Sequence, residues 1–98
     1  TNGINFSYAG KYNESIRHHQ KSIEIYKKLN IPAGVLSNLN NIGNTYLISK
    51  NYEEALKYFL QYKELLPKTS VPNRLDRQCI NNINLSICYY RLNDDKSG

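Results

Sequence analysis

Leu36 to Pro67 reads LSNLNNIGNTYLISKNYEEALKYFLQYKELLP, and the spacing of its large, small and aromatic residues decides the fold. Leu39, Ile42, Gly43 and Tyr46 follow the order large-x2-aliphatic-Gly-x2-Tyr, and Ala55, Phe59 and Pro67 follow as Ala-x3-Phe with a closing proline. On a helix turning about 100° per residue, the first four share one stripe. Gly43, lacking a Cβ, lets a second helix approach closely, and Ala55 is the small residue expected to answer it there. Asn51 suits a helix N-cap, with Glu53 and Glu54 in the first turn where they favour the helix dipole. The stretch therefore predicts two helices, Ala33 to Ser49 and one running on to about Leu66.

Working outward, the unit recurs. Moved back by 40 residues it puts Gly3 on Gly43, Phe6 on Tyr46, Gly10 on Lys50, Tyr12 on Tyr52, Glu14 on Glu54, Ser15 on Ala55 and His19 on Phe59. Moved forward by 43 it puts Leu85 on Ile42, Ser86 on Gly43, Tyr89 on Tyr46 and Asn93 on Lys50. The expected organisation is a single domain over 1–98: a partial repeat 1–30, a full repeat 33–67 and the first helix of a next repeat 73–93. Five helices follow, the first over 1–9 and stopped at Gly10, which can take the left-handed conformation that closes a helix. Asn13 to Leu29 is the second, with Ile16, His19, Ile23 and Tyr26 at spacings of three and four and a Glu24–Lys28 pair at i,i+4. Ile31-Pro32 breaks the chain before the third, since proline disfavours helix for the residue before it. PKTSVPN, residues 67–73, is a turn-rich link, and Asn93 to Gly98 a frayed polar end. Beginning and ending in mid-repeat, the sequence is expected to be a piece of a longer solenoid.

These spacings resemble the tetratricopeptide repeat, a helix-turn-helix unit with the signature W-x2-L-G-x2-Y…A-x3-F…P, here with Leu39 in the place of the Trp. Offsets of 40 and 43 exceed the usual repeat of about 34 residues, so the closer resemblance is to the extended repeats of kinesin light chains and of bacterial signalling proteins. It implies an all-α, right-handed solenoid of antiparallel helix pairs, whose first helices line a concave surface that meets a peptide or protein partner. The Asn, Ile, Lys and Tyr richness points to an AT-rich genome and favours the bacterial members.

Composition excludes several other classes. Nothing is apolar enough over sufficient length to span a bilayer, no secretory h-region is evident, and any targeting segment would precede Thr1. The net charge of +5 is spread over every expected helix, which reads as solvated faces rather than a nucleic-acid surface. Cys79 and Cys88 lie about 13 Å apart on opposite sides of one helix and cannot bridge. Two free thiols point towards a reducing, cytoplasmic compartment, with an exported or periplasmic sensor domain as the alternative. There is no Gly-rich phosphate loop, no paired-carboxylate arrangement and no serine on a sharp turn, so no enzyme and no cofactor is expected. His18 with Glu14 has i,i+4 ligand spacing, but a metal is not expected, and His19, aligned with Phe59, is expected as an inter-helix imidazole.

On the helical wheel, Ser37, Asn40, Asn44 and Leu47 lie opposite the Leu39/Ile42/Tyr46 stripe, with Asn41 and Ile48 at the margins. The corresponding face of the last helix carries Ile80, Ile83, Asn84, Ile87, Tyr90 and Arg91; that of the first carries Ile4, Ser7 and Tyr8. An asparagine amide offers both donor and acceptor and can hold a peptide backbone without reading its sequence. The resemblance implies that role for Asn40, Asn41, Asn44 and Asn84, while bonding to neighbouring helices, or mere surface, remain open for them. Apolar pockets are expected from Leu47, Ile83, Ile87 and Tyr90. Three functions stay in view: a peptide-binding scaffold or sensor of a larger signalling protein, a self-assembly module with an idle groove, or a regulatory module that modulates an attached kinase or DNA-binding domain. Among binding classes, a carboxylate-reading groove is disfavoured, because Ile83 and Ile87 occupy the places where basic residues would be expected.

Overall fold

The computed structural model describes the backbone of residues 2–97 and the side chains of residues 11–94. Four helices follow one another: α1 (Asn2–Lys28), α2 (Pro32–Ile48), α3 (Tyr52–Leu65) and α4 (Arg74–Ser97), with a single 3-10 turn over Leu66–Lys68, and no strand occurs among the described residues. Each helix packs mainly on the next in sequence. The resulting slab measures 43 × 30 × 17 Å.

Two apolar clusters hold it together. Ile16 and Ile23 of α1, Val35, Leu36, Leu39 and Ile42 of α2, and Tyr62 and Leu66 from the α3 side form the larger. Ala55 and Phe59 of α3 with Leu85 and Cys88 of α4 form the smaller. Phe59, Leu36 and Ile42 have no exposed surface, and burial of such a side chain stabilises the fold by about 1.5–3 kcal/mol. Tyr46 borders both clusters and stacks on Tyr58 with ring centroids 5.8 Å apart.

The expected stripe is where the core lies, but Gly43 is answered differently. A Cβ at Gly43 would sit 2.6 Å from the Phe59 ring, so the aromatic ring, not Ala55, occupies the space that the glycine leaves. Ala55 instead faces the α3–α4 cluster. The α1–α2 pair repeats the device in mirror order: a Cβ at Gly34 would meet the Tyr26 ring at 2.4 Å.

Helix ends explain the tight returns. Lys50 has φ 65°; its N–H bonds Leu47 O at 3.1 Å and the Asn51 N–H bonds Tyr46 O at 2.8 Å. Asn30 has φ 57°, and the Asn30 and Ile31 N–H groups bond Lys27 O and Tyr26 O at 3.2 and 2.9 Å. Both are Schellman closures, in which a left-handed residue lets the last carbonyls be used. Pro32 opens α2, as its fixed φ and missing N–H allow.

Several local expectations are corrected. Gly10 lies inside α1, which is one helix where two were expected. Glycine permits a left-handed stop without compelling it, and a mid-helix glycine costs only about 0.5–1 kcal/mol. Asn51 precedes α3 but makes no side-chain capping bond; its carbonyl takes the Ala55 N–H instead. Among the described residues the ion pair formed is Lys57–Glu54 at 3.1 Å, not Glu24–Lys28. The polar residues after Asn93 continue α4 as far as Ser97; Gly98 lies outside the described residues.

Two outcomes follow in thermal unfolding. Gly43→Ala forces the Phe59 ring to move and should cost about 1–3 kcal/mol, lowering Tm by about 4–8 °C for each kcal/mol in a chain of this length. Lys50→Gly removes a side chain from a left-handed position and should raise stability by about 1 kcal/mol.

Candidate functional site

The residues expected to meet a partner sit on α2 and α4, and the structure brings some of them together. Asn84 donates through Nδ2 to Asn40 Oδ1 at 3.4 Å, a long bond that links α2 to α4 across the end of α3. Beside it opens a recess of about 330 Å³ lined by Asn40, Tyr62, Asn73, Asp76, Arg77 and Ile80. Arg77 is fixed at its rim, since Nε donates to Pro72 O at 3.1 Å. Along α4 the apolar stripe continues in the open: Ile80, Ile83, Ile87 and Tyr90 are 53%, 59%, 37% and 67% exposed. Asn44 is half-buried on α2, one turn from Asn40.

Other expected residues stand apart. Leu47 is half-buried and packs on the α3–α4 cluster, so it contributes to the core. Asn41 is exposed, and its carbonyl accepts the Thr45 hydroxyl at 2.9 Å. Ser37 is exposed and lines a separate recess between α1 and α2 with His18, His19, Ser22 and Asn38. Ile4, Ser7 and Tyr8 lie outside the described side chains. A further cleft of about 420 Å³ runs between α1 and α3. Its floor residues Ile23, Val35 and Leu39 are already 5–8% exposed, so an occupant there would cover little new apolar surface.

Two asparagines outside the expected set prove to be structural. Asn38 of α2 is 8% exposed; its Oδ1 accepts from His19 Nδ1 at 2.8 Å and its Nδ2 donates to Gly34 O at 2.8 Å. An amide oxygen can only accept, so His19 carries its proton on Nδ1. Asn81 of α4 is 1% exposed and donates through Nδ2 to Phe59 O at 3.0 Å, while its Oδ1 has no partner. Asn81 stands 43 residues after Asn38, and Phe59 stands 40 after His19. The two inter-helix junctions thus use matching positions, and only the first satisfies its amide. Laying the offset of 43 over Asn81 as well as over Leu85 is the signal that would have found this pair.

Burial acts on two titratable groups nearby. The Cys88 thiol is pushed above its ordinary 9.0 by desolvation. Tyr46 is pushed above 10.0, first by desolvation and then by Tyr58 and Glu54, against a smaller opposing effect of Lys57. In both cases the unfolded chain loses its proton at lower pH than the folded one, so stability is intact below pH ~9 and declines as pH rises beyond it. Among the described residues no three of His, Cys, Asp and Glu converge as a metal site, and no helix is long and apolar enough to cross a membrane.

The family model of the tetratricopeptide repeat matches residues 2–68. No curated protein matches the chain, and no solved structure does.

Equivalent substitutions at the two junctions should have opposite signs. Asn38→Leu strips His19 of its acceptor and should cost about 1–3 kcal/mol. Asn81→Leu removes an unpaired acceptor, and Phe59 O keeps its helical partner, so a gain of about 1 kcal/mol is expected from urea unfolding of the two variants side by side. In thiol labelling, exposed Cys79 should react at once and Cys88 only on unfolding.

Proposed function

The chain belongs to the tetratricopeptide repeat family, whose members are protein-interaction scaffolds, and from that premise we propose that it holds an extended partner segment along the face shared by α2 and α4. The observation that carries this reading is the Asn40–Asn84 bond lying between a recess at Ile80 and the exposed row Ile83, Ile87 and Tyr90. Backbone amides of the segment would replace that long bond: one asparagine gives up a partner at 3.4 Å for a shorter one. Asn44, a turn along α2, would take the next peptide group, and apolar side chains would seat against Ile80, Ile83 and Ile87. Ser37 and Asn41 would contact only a segment extending beyond this core. Leu47 would act by supporting the wall rather than by touching the ligand.

In this reading the chain does no chemistry. It supplies the sensing or scaffolding part of a signalling protein, and affinity comes from amide clamps that tolerate many sequences plus a few apolar positions that choose among them. The exposed row on α4 also suits a second arrangement, association of copies through that helix, because isolated isoleucines of this exposure are ordinary but a row of them marks a contact surface.

Selection from a random-peptide display library against the purified chain separates the two. Groove binding predicts enriched extended peptides whose affinity falls about tenfold in Asn44→Ala, the loss of one or two backbone-directed hydrogen bonds. Light scattering should then show one mass at all concentrations. Self-association predicts no enrichment, a mass that rises with concentration, and a monomer on Ile83→Asp.

A further inference from the structure

At the α3–α4 junction, away from the Asn40 recess and sharing none of its residues, lies a pocket of about 200 Å³ lined by Lys63, Leu66, Pro67, Arg74, Gln78 and Asn81. Asn81 is the anomaly in it. The side chain is 1% exposed, Nδ2 is committed to Phe59 O, and Oδ1 is covered with no donor. Buried amide oxygens are almost always paired, because an unpaired one keeps its full desolvation cost.

The first junction identifies what is missing. There the matching amide, Asn38, takes a proton from His19 Nδ1. At the second junction Phe59 stands in the place of His19, and a phenyl ring has no N–H to give. With Nδ2 held by a backbone carbonyl, the amide cannot rotate to present its donors instead. None of the side chains lining the pocket donates to Oδ1, and a donor entering at the edge formed by the exposed Lys63 and Gln78 side chains would supply what Phe59 does not.

The surroundings specify the rest of that group. Lys63 and Arg74 both line the pocket, and among the described residues neither forms an ion pair. Arg74 opens the 24-residue helix α4, whose N-terminal amides add positive potential, and its Nη2 is steadied on Thr69 O at 3.2 Å. Two cations, a helix start and one buried acceptor call for an anion that carries a hydrogen-bond donor close to its charge.

We propose that this pocket binds one acidic residue of a peptide segment, its carboxylate towards Lys63 and Arg74 and its backbone N–H donating to Asn81 Oδ1. The pocket is of the size of a single residue, so it selects one position of a partner independently of the α2–α4 face.

The test is an NMR titration of the ¹⁵N-labelled chain with the blocked residue N-acetylglutamyl-N-methylamide, with acetate and inorganic phosphate as parallel arms. The blocked residue should shift the Asn81 and Gln78 side-chain amides saturably, and at least about fivefold more tightly than acetate, which lacks the N–H. In Asn81→Leu the midpoint of the blocked residue, read at the Gln78 side-chain amide, should rise to that of acetate, and Lys63→Ala with Arg74→Ala should weaken binding by about tenfold or more. The proposal is overturned by equal midpoints for all three probes, by no saturable shift at Asn81, by a preference over acetate that is unchanged in Asn81→Leu, or by a crystal structure with an ordered water on Asn81 Oδ1 that the blocked residue fails to displace.

Discussion

Phe59 lays its ring on the bare backbone of Gly43, and the distance between α2 and α3 is set there. Because a Cβ would come within 2.6 Å of that ring, the helices keep this spacing only with the glycine; a larger residue must displace the ring or push the helices apart. Everything built around the pair depends on this spacing. It buries Leu36 and Ile42 below, lets Tyr46 stack on Tyr58 beside it, and leaves Phe59 to receive α4, its side chain packing with Leu85 and Cys88 and its backbone carbonyl accepting from Asn81.

The repeat is visible at the level of contacts, not only of residue types. One device lies within α2 and is not a copy of the repeat: Gly34 under Tyr26 and Gly43 under Phe59 are nine residues apart, and each glycine seats an aromatic ring from one flanking helix. Asn38 with His19 and Asn81 with Phe59 are two uses of another. What differs between copies is where specificity has room to arise. At the first junction both polar atoms of the amide have partners within the chain. At the second, one atom is left over.

Much of the fold was legible because helix packing in this architecture is written in short-range spacings. Leu39, Ile42 and Tyr46 fall on one stripe whatever the partner helix does, and the Pro32 start and the turn-rich link after Leu66 are local signals. The pairing of Gly43 with Phe59 was not legible. Which residue of α3 faces Gly43 depends on the phase of α3 relative to α2, and that is fixed by the left-handed Lys50 closure, where a lysine gives no hint of the conformation that a glycine would have suggested. Gly10 failed in the opposite sense, since it carries the hint without the structure. For the candidate site, the wheel put Asn40 and Asn84 on corresponding faces of α2 and α4, and in the structure the two side chains bond at 3.4 Å. It could not show that Leu47 turns into the α3–α4 cluster, because a leucine at the edge of a stripe is decided by the neighbouring helix.

The way the helices touch, each leaning chiefly on its neighbour in a slab 17 Å thick, has a mechanical consequence. Tension applied along the row would load the three interfaces in series, so that all carry the same force and the one with the least interlocking yields first. That one joins α3 to α4, which touch less extensively than α1 with α2 or α2 with α3. Under strain the row should therefore lengthen by swinging α4 away as a rigid rod, leaving α1 to α3 as an intact block, and a partner that spans the α3–α4 seam would stiffen the whole assembly like a splint across a joint.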